Sequence, residues 1–230
     1  MAHQVPNPEL LRSLGRLVRG LSALFWGLPA AMVVCFYTAR AEGLRSLGMV
    51  PLLPPLATTG LLVFGLWQLA DFQKQERVWR NALDRARVLS LITFGLSPFL
   101  YWWGRIPTQP FFLWMAVAFA ISALLFLASL NSMLRRLGAM LPDETLRLET
   151  RQFTQMNLYL LCASFVAAIA YWGLPQFRSL PRWLAIIAAV MERGSLWFLS
   201  ILLLLPLAMT MALLWKTKEV ILDSVFSAKE

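Results

Sequence analysis

The residue types able to do chemistry are few in this chain, and their spacing does not suit it. The only histidine is His3, in a polar tail, so an imidazole-ligated haem or copper among the apolar segments has no ligand. Cys35 and Cys162 fall in separate apolar runs without CxxC or CxxH spacing, and buried cysteines of that kind act as small hydrophobes. No acidic pair with metal-ligand spacing lies inside an apolar run. There is no P-loop, GxSxG, HExxH or glycine-rich dinucleotide turn. A serine nucleophile would need an activating His or Lys nearby, and the apolar runs hold neither. The expectation is a protein that is not an enzyme, with no catalytic residues, no cofactor and no metal.

The remaining polar positions are better suited to holding helices or marking a path. Gln68, Asn131 and Asn157 stand near the ends of apolar runs, where they can bond neighbouring helices or water. Ionisable groups inside a membrane usually mark ion pathways. Asp71 and the pair Glu192–Arg193 come nearest to that, but they read as a solvated helix end and an interfacial pair. Proline recurs at Pro29, Pro54, Pro55, Pro98 and Pro206, and each removes a backbone donor and can break a helix. Pro98 and Pro206 are the candidate breaks that could shape a site, although local packing is the commoner result.

These residues are positioned by six apolar stretches: 21–39, 51–70, 88–103, 111–130, 156–174 and 195–215. Each approaches the roughly 20 residues needed to cross a hydrocarbon core, and none carries a charge at its middle. The chain is 59% hydrophobic and 14% charged, against about 45–50% and about 25% for soluble domains. Such runs satisfy their backbone in lipid as helices, and they lack the alternation of a β-barrel. The expected fold class is all-α: a polytopic bundle of six transmembrane helices with an N-terminal amphipathic helix. The expected organisation is a cytoplasmic tail over 1–20, a transmembrane domain over 21–215 and a cytoplasmic tail over 216–230. The first stretch is too long for a signal-peptide core, and no lipidation motif is present.

The net charge of +9 is distributed unevenly. Of the 21 Lys and Arg residues, all but Arg40, Arg45, Arg105, Arg178, Arg182 and Arg193 lie in the two tails or in the segments 71–87 and 131–155. The positive-inside rule then places both termini and those two segments in the cytoplasm, in a bacterial inner membrane. Anionic headgroups on that side are the expected partner of the basic face, and nucleic acid is not.

The aqueous segments have readable patterns. Leu10, Leu14, Leu17 and Val18 oppose Arg12, Arg16 and Arg19, as on an amphipathic surface helix. The 71–87 segment is rich in helix formers, so the flanking helices should extend into it. In 131–155, Pro142 should end one helix, and Asp143 and Glu144 should open the next. A weak echo relates 61–68 to 124–131 and aligns Gln68 with Asn131, but the shared Leu-rich composition accounts for it. The apolar element at 181–191 is too short to cross; it reads as interfacial, ahead of a re-entrant hairpin or a long tilted start to the last span.

Two functions fit. The first is a non-enzymatic structural, assembly or regulatory subunit of a membrane complex, docking a protein partner at 71–87 and 131–155. The second is a permease-like transport protein. Six spans, cytoplasmic termini and an amphipathic N-terminal helix resemble the topology of the membrane half of ABC-2-type exporters. That resemblance implies a separately made ATPase docking near 75–87. It rests on topology without a shared motif, and the loop from Arg135 to Arg151 departs from the simple pattern.

Overall fold

Runs of Leu, Ala, Val and Phe longer than a strand can bury satisfy their backbone groups internally as helices. The computed structural model describes residues 8–40, 48–72, 75–140, 144–173 and 203–223, and every regular element among them is helical. The elements are α1 (Pro8–Arg40), α2 (Leu53–Gln68), α3 (Arg77–Leu96), α4 (Pro98–Arg105), α5 (Pro110–Met140) and α6 (Glu144–Gly173). Residues 203–223 form a further helix, α7. Short 3-10 turns, Val50–Leu52 and Leu69–Asp71, flank α2.

Three helical stretches among the described residues are long and apolar enough to cross a membrane: Arg12–Arg40, Val50–Gln68 and Pro110–Met140. This is a helical membrane protein. Of the other three apolar stretches, 156–174 is helical without a break as far as Gly173. The 88–103 stretch is divided between α3 and α4, because Pro98 cannot supply the next backbone donor. Ser97 keeps right-handed helical geometry at the junction, and its hydroxyl donates to the Phe94 carbonyl at 2.9 Å. The first two turns of α6 carry Glu144, Arg147, Glu149 and Arg151. The 195–215 stretch is described only from residue 203, and the 181–191 element, Glu192 and Arg193 lie outside the described residues.

The amphipathic segment expected as a separate surface helix is instead the first part of α1, which runs without interruption to Arg40. Leu17 and Leu21 are fully buried, so the segment packs into the bundle. Its face is shared with Gly20 and Gly27, two turns apart. A Cβ on Gly20 would lie 2.7 Å from the Gly65 carbonyl oxygen, and one on Gly27 would lie 2.8 Å from Leu62 Cδ2. Only glycine lets α1 and α2 approach so closely, and dispersion across that contact replaces the hydrophobic driving force that lipid removes.

The main core joins Leu24 and Leu28 of α1, Leu66 of α2, Trp79 and Leu83 of α3, Leu130 and Leu134 of α5, Leu161 of α6 and Leu214 of α7. A smaller cluster of Cys35, Leu100 and Ala116 joins α1, α4 and α5. Trp26, Tyr37, Trp114 and Tyr159 are exposed on the outside, where lipid is the solvent. At the turn before α2, Gly48 has φ +63°, a left-handed conformation that suits glycine. The Tyr101 hydroxyl donates to its carbonyl, and Arg105 donates to the Tyr101 oxygen at 2.6 Å.

α3 begins at Arg77, so the helix before the third stretch does extend into the charged segment; α2 instead ends at Gln68. α5 ends at Met140 and α6 begins at Glu144, on either side of Pro142.

Candidate functional site

The buried stripe of α6 is polar. Thr150, Thr154, Asn157 and Ser164 share it with Leu161 at alternating spacings of four and three, and all are buried. Asn131 faces it from α5, and Pro206 and Thr210, one turn apart, face it from α7. Asn131, Asn157 and Thr210 have no exposed surface.

Their polar atoms converge. Asn131 Nδ2 donates to the Leu127 carbonyl at 2.8 Å and to Thr210 Oγ1 at 2.9 Å. Asn157 Nδ2 stands 2.9 Å from Asn131 Oδ1, 2.9 Å from Thr210 Oγ1 and 3.1 Å from the Pro206 carbonyl. Two N–H groups facing three acceptors must share. Thr210 donates its own proton to the Pro206 carbonyl at 2.7 Å. Its oxygen therefore accepts from both amides while donating once, which uses its full capacity. Asn157 Oδ1 is buried without a partner, as are the hydroxyl oxygens of Thr150 and Thr154.

Nothing in this knot is charged, and no member is a nucleophile activated by a base. It can hold helices together by hydrogen bonds, or present one free carbonyl acceptor to a donor. Other contacts keep the three helices in place. A Cβ on Gly138 would meet Thr150 Oγ1 at 3.2 Å, so α5 and α6 touch closely there. Lys216 of α7 pairs with Glu149 of α6, and the Trp215 ring lies 5.5 Å from that of Phe25 in α1.

Three of the positions singled out in the sequence, Asn131, Asn157 and Pro206, thus meet at one point. Thr210 was not among them. Its position one turn after a helix-interior proline is the available signal, since its hydroxyl can reach the proline carbonyl. Gln68 stands apart from the knot, in a shallow groove between α2 and α3 with Phe64, Trp67 and Phe94. Asp71 closes the 3-10 turn after α2. Pro98 opens α4, where Thr59 donates to Ser97 Oγ at 3.4 Å, and Thr93 and Ser122 pair at 3.2 Å between α3 and α5.

At the charged end of α3, Arg87 donates to the Leu66 carbonyl at 3.3 Å and stacks over Trp67 at 5.2 Å. Burial pulls its pKa below the ordinary value, while the charge and hydrogen bond of Asp84 push the other way. A guanidinium stays protonated throughout. Among the described residues no three His, Cys, Asp or Glu side chains come together, and Cys35 and Cys162 are free thiols. Comparison of the chain with family models, curated proteins and solved structures finds no match.

Proposed function

We propose that this chain is a non-enzymatic subunit of a membrane complex, with a structural, assembly or regulatory role. One observation carries the reading: the most polar part of the core spends its hydrogen bonds on itself, with Asn131, Asn157 and Thr210 tying α5, α6 and α7 together. Intramembrane hydrogen bonds used in this way fix helix positions. In this reading α3–α4, α6 and α7 complete six crossings.

The basic residues favour one orientation. Arg12, Arg19, Arg77, Arg80, Arg85, Arg136, Arg147, Arg151, Lys216 and Lys218 belong to helix ends that meet through Leu17, Leu69, Trp79, Leu137 and Ile221. Arg40 and Arg105 belong to the opposite ends. The positive-inside rule turns the richer side, with both chain termini, toward the cytoplasm of a bacterial inner membrane. A protein partner would dock there, on 71–87 and 131–155.

A second reading, a permease-like transport protein, is favoured by the free Asn157 Oδ1 beside Pro206, since proline breaks with polar groups form cargo sites in transporters. Gentle-detergent purification from the native host, with mass spectrometry of what accompanies the protein, tests both. The subunit reading expects a stoichiometric set of membrane proteins. A separately made ATPase would favour the permease, and a protein emerging alone overturns the subunit reading.

A further inference from the structure

A groove runs along the outer face of the bundle between α3 and α5. It is lined by Ala82, Asp84, Arg85, Val88, Leu89, Ala128, Ser129 and Ser132. The small residues of α5 make its floor, and the bonded pair Thr93–Ser122 fixes the antiparallel register of its two walls. Away from the charged end, the same faces continue as Ile92 on α3 and Leu125 and Ile121 on α5, all exposed. Toward the charged end they continue as Arg77 on α3, two turns before Arg85, and as Arg136 on α5, one turn after Ser132. Arg77, Arg85 and Arg136 are all exposed. Asp84 is the acidic residue of the lining, and it lies 3.5 Å from Arg87.

The groove is thus apolar along most of its length and cationic at one mouth. We propose that it binds one anionic phospholipid of the surrounding bilayer, with the phosphate at Arg85 and Arg136 and an acyl chain along Val88, Ala128 and Leu125. Small side chains on α5 give the chain room, and two guanidiniums from different helices give the phosphate paired donors of the geometry it prefers. Ser129 and Ser132 add hydroxyls to the polar mouth. The inference draws on the orientation proposed above only for the supply of anionic lipid. Its test uses purified protein, so the failure of one leaves the other standing.

The experiment is native mass spectrometry of the full chain in a mild detergent, titrated with palmitoyl-oleoyl phosphatidylglycerol or with the phosphatidylcholine carrying the same chains. The expected result is one tightly held phosphatidylglycerol, preferred over phosphatidylcholine. Arg85→Gln and Arg136→Gln should each weaken its retention about fivefold, and Arg151→Gln on α6 should leave it unchanged. Ser132→Leu, which fills the groove without touching charge, should weaken both lipids. Each variant's melting temperature is read first, and a glutamine variant that fails to fold is replaced by the equally neutral methionine variant at the same position. Equal retention of the two lipids overturns the proposal, as does indifference to Arg85→Gln and Arg136→Gln. Displacement of phosphatidylglycerol by millimolar inorganic phosphate would also overturn it, by assigning the arginines to a free anion.

Discussion

Replacing Asn157 by alanine tests whether the amide knot holds α5, α6 and α7 together. The substitution removes a donor group facing Asn131 Oδ1, Thr210 Oγ1 and the Pro206 carbonyl. Only two of those bonds can form at full strength at once. Interhelical hydrogen bonds in membrane proteins average about 0.6 kcal/mol and reach about 1.7 kcal/mol, so Asn157→Ala should cost about 1–3 kcal/mol. Asn131→Ala should cost a similar amount, because it strips Thr210 of one donor and Asn157 of one of its three acceptors. The decisive quantity is the coupling between them. The double variant should be less destabilised than the sum of the single ones by about 0.6–1.7 kcal/mol. A paired exchange for leucine should recover more, since removing both partners avoids an orphaned group. Reversible unfolding in mixed micelles, followed by tryptophan fluorescence, gives all the values. Strict additivity, or an Asn157→Ala variant as stable as the parent, would refute the argument that these bonds fix the three helices.

Other contacts make separate predictions. Gly20→Val should destabilise by about 1–3 kcal/mol, since its Cβ meets the Gly65 carbonyl and Leu69; Gly15→Ala, with nothing within 4 Å, should be neutral or stabilise by up to about 1 kcal/mol. The melting temperatures of the two variants should therefore move apart, and a common shift would count against close α1–α2 packing. Arg87→Ala should cost about 1–2 kcal/mol through the Leu66 carbonyl and the Trp67 ring, and Trp67→Leu should remove part of that cost in a double-mutant cycle. Gly48→Ala should cost about 1–2 kcal/mol, because φ +63° disfavours a side chain, whereas Gly95→Ala, in an open position of α3, should not. Thermal unfolding of both glycine variants checks this.

The helices and the chain's membrane character are legible in hydropathy and composition, whereas the breaks within them are less so. Averaging over a window reads 88–103 as one apolar stretch, yet α3 starts in the charged segment at Arg77 and the backbone break falls at Pro98. The join between the N-terminal amphipathic segment and the first span is hidden for a related reason. Gly20 falls at the boundary between the two, but an α-helix tolerates glycine when the opposite wall needs the space, as Gly65 does at Gly20. The knot was legible only as separate residues. An asparagine in an apolar helix is conspicuous, because its amide needs partners. A threonine is not, because its hydroxyl can bond to the carbonyl four residues back, as Thr38, Thr93 and Thr217 do. Thr210 does the same and still accepts from two amides, a role set by how α7 packs and invisible within its own segment.

Two kinds of contact divide the bundle, and they resist motion differently. α1 and α2 meet through glycine backbones, so sliding one past the other brings side chains into carbonyls. α5, α6 and α7 meet through hydrogen bonds between fully buried groups, so separating them leaves amides and hydroxyls without these partners. α3 and α4 join at Pro98, where the Ser97 hydroxyl satisfies the Phe94 carbonyl locally and Leu100 holds α4 against Cys35 of α1 and Ala116 of α5. A transport cycle that moves α7 against α6 must break the knot on every turnover, and Asn157→Ala would then speed that step while lowering stability. A subunit that works by holding its shape needs the knot intact, and the same substitution would weaken partner retention in parallel with stability. Measured on one variant, the sign of the change in activity relative to the change in stability separates the two functions.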